Sequence, residues 1–171
     1  ATNQQELLRT VNATVSMDSL QGPFDVQGNA RYKNLPVSTE VMLGIMRDGR
    51  KVPVNISAGL LDNDVQLKFS GGILLDETSP QVEGNVSVNA GDIGDLFLAL
   101  SLLDPENTNQ AKQVYNQPLS LESKVAYGGD AIKISELEFE MGESRGNGNL
   151  TTTFSDLYRF NGALAINSFN L

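Results

Sequence analysis

The sequence predicts an all-β protein, an antiparallel meander forming one elongated, curved or folded sheet with a groove-like apolar face. Three observations carry this. Apolar and polar residues alternate with period two through most of the 171 residues. Turn-forming residues separate these runs at hairpin spacing. A single segment, near residues 92–103, switches to a helical period. A two-sheet β-sandwich satisfies the same alternation and stands as the alternative fold.

The elements follow in chain order. Val11, Ala13, Val15 and Met17 alternate with polar residues, as do Phe24, Val26, Gly28, Ala30 and Tyr32. Val52, Val54, Ile56, Ala58 and Leu60 form a third run, Val65, Leu67 and Phe69 a fourth, and Val82, Gly84, Val86, Val88 and Ala90 a fifth. Asp92 is placed to cap a helix with Ile93, Leu96, Phe97, Leu100 and Leu103 on one face, which Asp104-Pro105 ends. Leu98 and Leu102 make its other side apolar, so it reads as a plug over an open end of the sheet. A polar linker, 104–117, joins the halves 1–103 and 118–171 of one β-rich domain. Strands then run over Leu119–Tyr127, Ala131–Met141 with a slip near Ser135, Leu150–Phe154 and Phe160–Ile166. The turns expected between strands are Gln21-Gly22-Pro23, Asp48-Gly49, Asp62-Asn63-Asp64 and Gly128-Gly129-Asp130, where Gly and Asp tolerate positive φ.

A weak internal repeat pairs Val82–Asn89 with Phe160–Asn167, and upstream Val65–Phe69 with Leu137–Met141. It suggests a modular sheet rather than a closed barrel. Alternation persists to the last residues, which is expected of a piece of a longer protein.

Composition excludes several classes of chemistry. There is no His, Cys or Trp, so histidine bases, thiol nucleophiles, disulfides and Cys/His metal sites are ruled out. Twelve Lys and Arg against 21 Asp and Glu give a net charge of -9, which disfavours nucleic acid as a partner. Glu136, Glu138 and Glu140 alternate opposite Leu137, Phe139 and Met141, the pattern of a solvated strand exterior rather than a glycosidase pair. Asp62-Asn63-Asp64 lacks the glycine and distal Glu of a calcium loop. Lys112, Lys124 and Lys133 sit in no Ser-x-x-Lys arrangement. Asn12, Asn55, Asn85 and Asn149 open Asn-x-Ser/Thr triplets inside strands, where glycosylation is not expected. No catalytic residue, metal or cofactor is expected, and scarce aromatics disfavour a carbohydrate-binding sandwich.

The second half carries a family resemblance. Pro118 to Tyr127, the Gly128-Gly129-Asp130 turn, Leu137-Glu138-Phe139, the turn Gly142-Glu143-Ser144, Gly146-Asn147-Gly148-Asn149-Leu150 and Arg159-Phe160-Asn161-Gly162-Ala163-Leu164 occur in an order that resembles the AsmA family. Gln27-Gly28-Asn29, Gly84-Asn85-Val86 and Gly91-Asp92-Ile93-Gly94-Asp95-Leu96 fit more loosely. The resemblance implies a periplasmic segment of a larger protein anchored in the inner membrane of a Gram-negative bacterium. It implies outer-membrane biogenesis and phospholipid movement along an apolar groove, with phospholipid or other lipid acyl chains and other envelope proteins as partners. Contact with the membrane would come through segments outside this chain.

Extracting a lipid tail costs about 0.8 kcal/mol per methylene, so a sixteen-carbon chain needs on the order of 10 kcal/mol of replacement contact. A continuous apolar face supplies such contact, advancing roughly 4.8 Å per strand. The groove candidates are Val52, Val54, Ile56, Val65, Leu67, Phe69, Val86, Val88, Leu164 and Ile166. The same alternation also suits a packed core, and a structural or protein-interaction module of the cell envelope is the alternative function.

Overall fold

The computed structural model describes residues 8–32, 35–46, 50–60, 64–75, 79–99, 116–154 and 158–167. They form strands β1 (Leu8–Met17), β2 (Phe24–Tyr32), β3 (Leu35–Leu43), β4 (Lys51–Leu60), β5 (Val65–Leu74) and β6 (Gln81–Ala90). A short helix α1 (Ile93–Ala99) precedes β7 (Leu119–Gly128), β8 (Ala131–Met141), β9 (Ser144–Phe154) and β10 (Tyr158–Ile166). All ten strands belong to one sheet in sequence order, each antiparallel to its chain neighbour. The sheet is open, with β1 and β10 as its edges.

The expected meander is present, and the sandwich alternative is overturned. A sandwich needs strands that leave one sheet for another. Here even β7, reached through the helical insertion, pairs directly with β6 from Val82↔Tyr127 to Ala90↔Leu119. The two sequence halves therefore share a single sheet. The accessible surface, 11965 Å², exceeds the roughly 8,200 Å² of a compact monomer of this mass, as a single layer should.

Strand β3 is the element that the alternating runs omitted. Its inward residues are Leu35, Val37, Thr39, Val41 and Leu43, so a polar residue occupies the centre. Met42 faces outward with Asp25 and Asn55, and Pro36 removes a donor near the start. These departures hide the period.

The slip expected near Ser135 is a β-bulge. Glu136 takes φ 50°, and the register shifts between Ile134 and Leu137 against β9 and between Glu122 and Lys124 against β8. One extra residue there restores Leu137 and Phe139 to the side occupied by Ile134. A second bulge sits in β1, where Thr10 has φ 51° between Arg9 and Asn12. The Gly129-Asp130 turn forms as expected between Gly128 and Ala131, with Gly129 at φ 59°. The Gly142-Glu143 turn joins Met141 to Ser144. Asp48-Gly49, Asp62-Asn63, Leu100, Leu102, Leu103, Asp104-Pro105 and linker residues 104–115 lie outside the described residues.

The internal repeat does not keep a constant strand spacing. Val65–Phe69 and Val82–Asn89 lie on the adjacent strands β5 and β6, whereas Leu137–Met141 and Phe160–Asn167 begin on β8 and β10 with β9 between them. Shared alternation, rather than a shared unit, accounts for the similarity.

The small core lies midway along the sheet, at the strand ends of β4 to β7. Leu96 of α1 closes over Val65 and Ala90, and Leu60, Leu67, Val88 and Leu119 pack against that cluster. The cap is the one that the sequence indicates: the Gly94 N–H donates to Asp92 Oδ1 at 2.7 Å. The Ile93 N–H donates to the Gln117 carbonyl at 2.9 Å and the Gly91 N–H to the Asp64 carbonyl at 3.0 Å, so the start of the helix is tied to the segments that lead into β7 and β5. Asp95, in the first turn, places its carboxylate at the positive end of the helix. Asp92→Ala is expected to cost about 1 kcal/mol, read as a lower urea midpoint.

Candidate functional site

Cross-strand partners in a ladder share a face, so the registers trace the apolar surface residue by residue. One row runs Met17, Phe24, Leu43, Val54, Gly71, Gly84, Val125, Ile134, Leu150 and Gly162. Another runs Ala13, Gly28, Thr39, Ala58, Leu67, Val88, Leu121, Phe139, Gly146 and Ile166. Between them lie Val15, Val26, Val41, Ile56, Phe69, Val86 and Ser123. The apolar face therefore crosses the whole sheet, roughly 45 Å at the usual strand spacing.

All ten candidate residues fall on this face. Eight form one patch: Val52, Val54 and Ile56 on β4, Val65, Leu67 and Phe69 on β5, and Val86 and Val88 on β6. Leu164 and Ile166 lie apart on β10, opposite Gly148 and Gly146. Leu121 and Phe139, which the candidate set did not include, bridge the two groups. Both sit in the alternating runs of β7 and β8, so the signal for them was present.

Burial divides the candidates. Val65 is fully buried beneath Leu96 and Val54 is 3% exposed, so neither offers surface to a ligand. Val52, Leu67, Phe69, Val86 and Val88 are half-buried, and Ile56, Leu164 and Ile166 are exposed. Towards the edges the face opens further, with Val15, Met17 and Phe160 all exposed. Among the described residues no second sheet covers it, and α1 closes only the end near Val65 and Ala90.

Beside the eight-residue patch, β5 and β6 set two glycines opposite each other, Gly71 and Gly84. A Cβ at Gly71 would lie 2.6 Å from the Gly84 Cα and 2.8 Å from the Phe69 ring, and would also meet the Glu83 carbonyl. The Phe69 ring thus lies across both glycines, supplying the apolar surface that their missing side chains do not. Phe139 covers Gly146 in the same way.

The opposite face is polar. Ser70 Oγ donates to Asn55 Oδ1 at 2.7 Å and Ser120 Oγ to Asn89 Oδ1 at 3.1 Å. Lys51–Glu83, Lys124–Glu136 and Arg145–Glu140 form exposed ion pairs, each worth about 0–1 kcal/mol. An open hollow of ≈ 570 Å³ includes Asn12, Gln27, Asn29, Ser38 and Lys68 in its lining. The acidic series is split by the bulge: Glu136 pairs with Lys124, Glu140 pairs with Arg145, and Glu138 stands opposite Glu122. Like charges directly opposed repel, so Glu138→Lys is expected to stabilise the fold by about 0.2–1 kcal/mol, measured by urea denaturation.

Among the described residues, no cluster of Asp and Glu is arranged to hold a metal ion. No helix among them is long and apolar enough to cross a membrane. No protein-family model, curated protein or solved structure matches the chain.

Proposed function

We propose that the chain is a non-enzymatic, AsmA-like segment that shields lipid acyl chains along its apolar face. In this reading it belongs to a periplasmic protein of the Gram-negative envelope, anchored through the inner membrane and serving phospholipid transport to the outer membrane. One observation carries the lipid reading: an apolar surface continues across ten strands, and among the described residues only α1 covers it, over the strand ends of β5, β6 and β7. Contiguous exposed apolar surface on this scale marks an interaction or lipid site. Acyl chains suit it because they demand continuity of apolar contact rather than directional polar groups.

The test is lipid capture. A photocrosslinking residue at Ile56 or Val88 is expected to label phospholipid in cells, and protein purified in mild detergent to carry phospholipid detectable by mass spectrometry. Ile56→Asp is expected to lower that lipid several-fold, whereas Glu138→Lys on the opposite face leaves it unchanged. Crosslinkers that never label lipid would overturn the reading. Loss of function on changing Glu138 or Asn29, with apolar-face variants acting only through stability, would instead favour an envelope interaction module.

A further inference from the structure

We propose that the polar face carries a binding site for an uncharged oligosaccharide, in the hollow spanning β2 to β5. The site stands apart from the lipid-shielding surface and rests neither on that reading nor on either edge of the sheet.

The ladders build the hollow from two rows of side chains. One runs Gln27, Glu40, Ser57 and Lys68, the other Asn29, Ser38, Gly59 and Gln66. Neighbours within a row stand roughly 4.8 Å apart, and the rows roughly 6.8 Å apart along the strands. Gly59 leaves a gap in the second row. It is buried, and its carbonyl accepts from Ser38 Oγ at 3.4 Å, so backbone forms the floor there. The resulting hollow of ≈ 570 Å³ is of the size that holds a small ligand.

Two properties set this hollow apart from the rest of the polar face. Elsewhere on that face side chains pair across the strands: Asn55 with Ser70, Asn89 with Ser120, Lys51 with Glu83, Lys124 with Glu136 and Arg145 with Glu140. Among the described residues, Gln27, Asn29, Glu40, Ser57 and Lys68 have no such side-chain partner, so their donors and acceptors stay open to a ligand. The second property is charge. In a chain of net charge -9, the lining holds one carboxylate, Glu40, and one ammonium, Lys68, and is otherwise uncharged.

These groups match sugar hydroxyls. An amide side chain both donates and accepts, as a hydroxyl does, so Gln27 and Asn29 each take a hydroxyl in either sense. Lys68 supplies donors only and Glu40 acceptors only, which orients a ligand lying between them. A nucleic acid is repelled by the net charge, and an extended peptide seeks backbone pairing at a strand edge rather than on a sheet face. The first row presents one polar side chain per strand, which suits a linear sugar chain lying across the strands. No aromatic side chain lines the hollow, so ring stacking is absent and affinity is expected in the millimolar range.

The probes are cellohexaose, a neutral linear chain of β-linked glucose, and its α-linked counterpart maltohexaose, each titrated into the isotope-labelled full chain and followed by NMR. At least one is expected to shift the side-chain amide resonances of Gln27 and Asn29, while those of Asn85, exposed on the same face outside the hollow, stay in place. Gln27→Ala and Asn29→Ala, both at exposed positions, are each expected to weaken binding about two- to tenfold with unchanged urea midpoints. Asn85→Ala is expected to leave binding unaltered. Captured phospholipid per protein is expected to be the same in all three variants, which separates this site from the apolar face. No shift with either sugar, shifts as large at Asn85, or binding indifferent to both hollow variants would each overturn the proposal. So would tighter binding of hexagalacturonate, an anionic chain, or loss of captured phospholipid in the hollow variants.

Discussion

Replacing Gly71 by valine is expected to lower stability by about 4 kcal/mol or more, at the far end of the range for single substitutions. The new side chain projects onto the apolar face, where the Gly84 Cα, the Glu83 carbonyl and the Phe69 ring already occupy its space. Phe69 could rotate away, but neighbouring backbone cannot without breaking the β5–β6 ladder. The expected readout is a large fall in the urea midpoint, or no cooperative transition at all. Gly91→Ala is the control: a Cβ there meets nothing within 4 Å and φ is not positive, so a change within about 1 kcal/mol is expected, in the stabilising direction. A Gly71→Val protein as stable as the unaltered chain would show that β5 and β6 can separate at no cost.

The size of that effect follows from the architecture as well as from the clash. In a meander where each strand pairs only with its chain neighbours, no other ladder bypasses a broken one. Parting β5 from β6 divides β1–β5 from β6–β10, which α1, through Val65 and Ala90, and the exposed Lys51–Glu83 ion pair still bridge. A change at the edge, such as Leu164→Pro, leaves the other ladders intact. Position in the strand order thus scales the damage, as in repeat proteins whose stability is a sum over nearest neighbours.

The same architecture explains how much of the molecule was legible in its sequence. Alternation located the strands, because a one-residue slip would turn every side chain to the wrong face. The slip near Ser135 was readable because the apolar phase jumps from Ile134 to Leu137, and a bulge is the device that absorbs such a jump. Strand β3 was not readable, since Thr39 sits inside and Met42 outside. Whether the apolar face met a second sheet was not readable either, because a sandwich interior and an open face demand the same pattern. The candidate residues shared a face as expected, yet their exposure ranged from Val65, fully buried, to Leu164, 57% exposed. That difference depends on where α1 docks and which strand forms the edge, and neither is encoded in the local period of Val65 or Leu164.

Leu96→Ala separates the two meanings that an apolar face can have. Leu96 is 7% exposed and is the helix's contribution to the cluster with Val65 and Ala90. Truncating it in a packed core costs about 2–5 kcal/mol, and the expected loss lies in the lower part of that range because the cluster borders open surface. Measured by thermal unfolding, the loss alone would say only that α1 is docked. Lipid capture adds the discriminating arm. Were the face merely a core that packs on itself, loosening α1 would destabilise the chain and leave captured lipid at background. Under the lipid reading, Val65, Ala90 and Leu119 join the half-buried Leu67 and Val88 as accessible surface, and the apolar trough widens at the strand ends beneath the helix. The expected result is therefore lower stability together with undiminished or greater phospholipid per protein by mass spectrometry. A parallel fall in both would mean that α1 forms part of the lipid contact rather than a stopper beside it. Since the Asp92 cap and the Gln117 carbonyl hold the helix start independently of Leu96, Asp92→Ala should move both readouts in the same directions by a smaller amount.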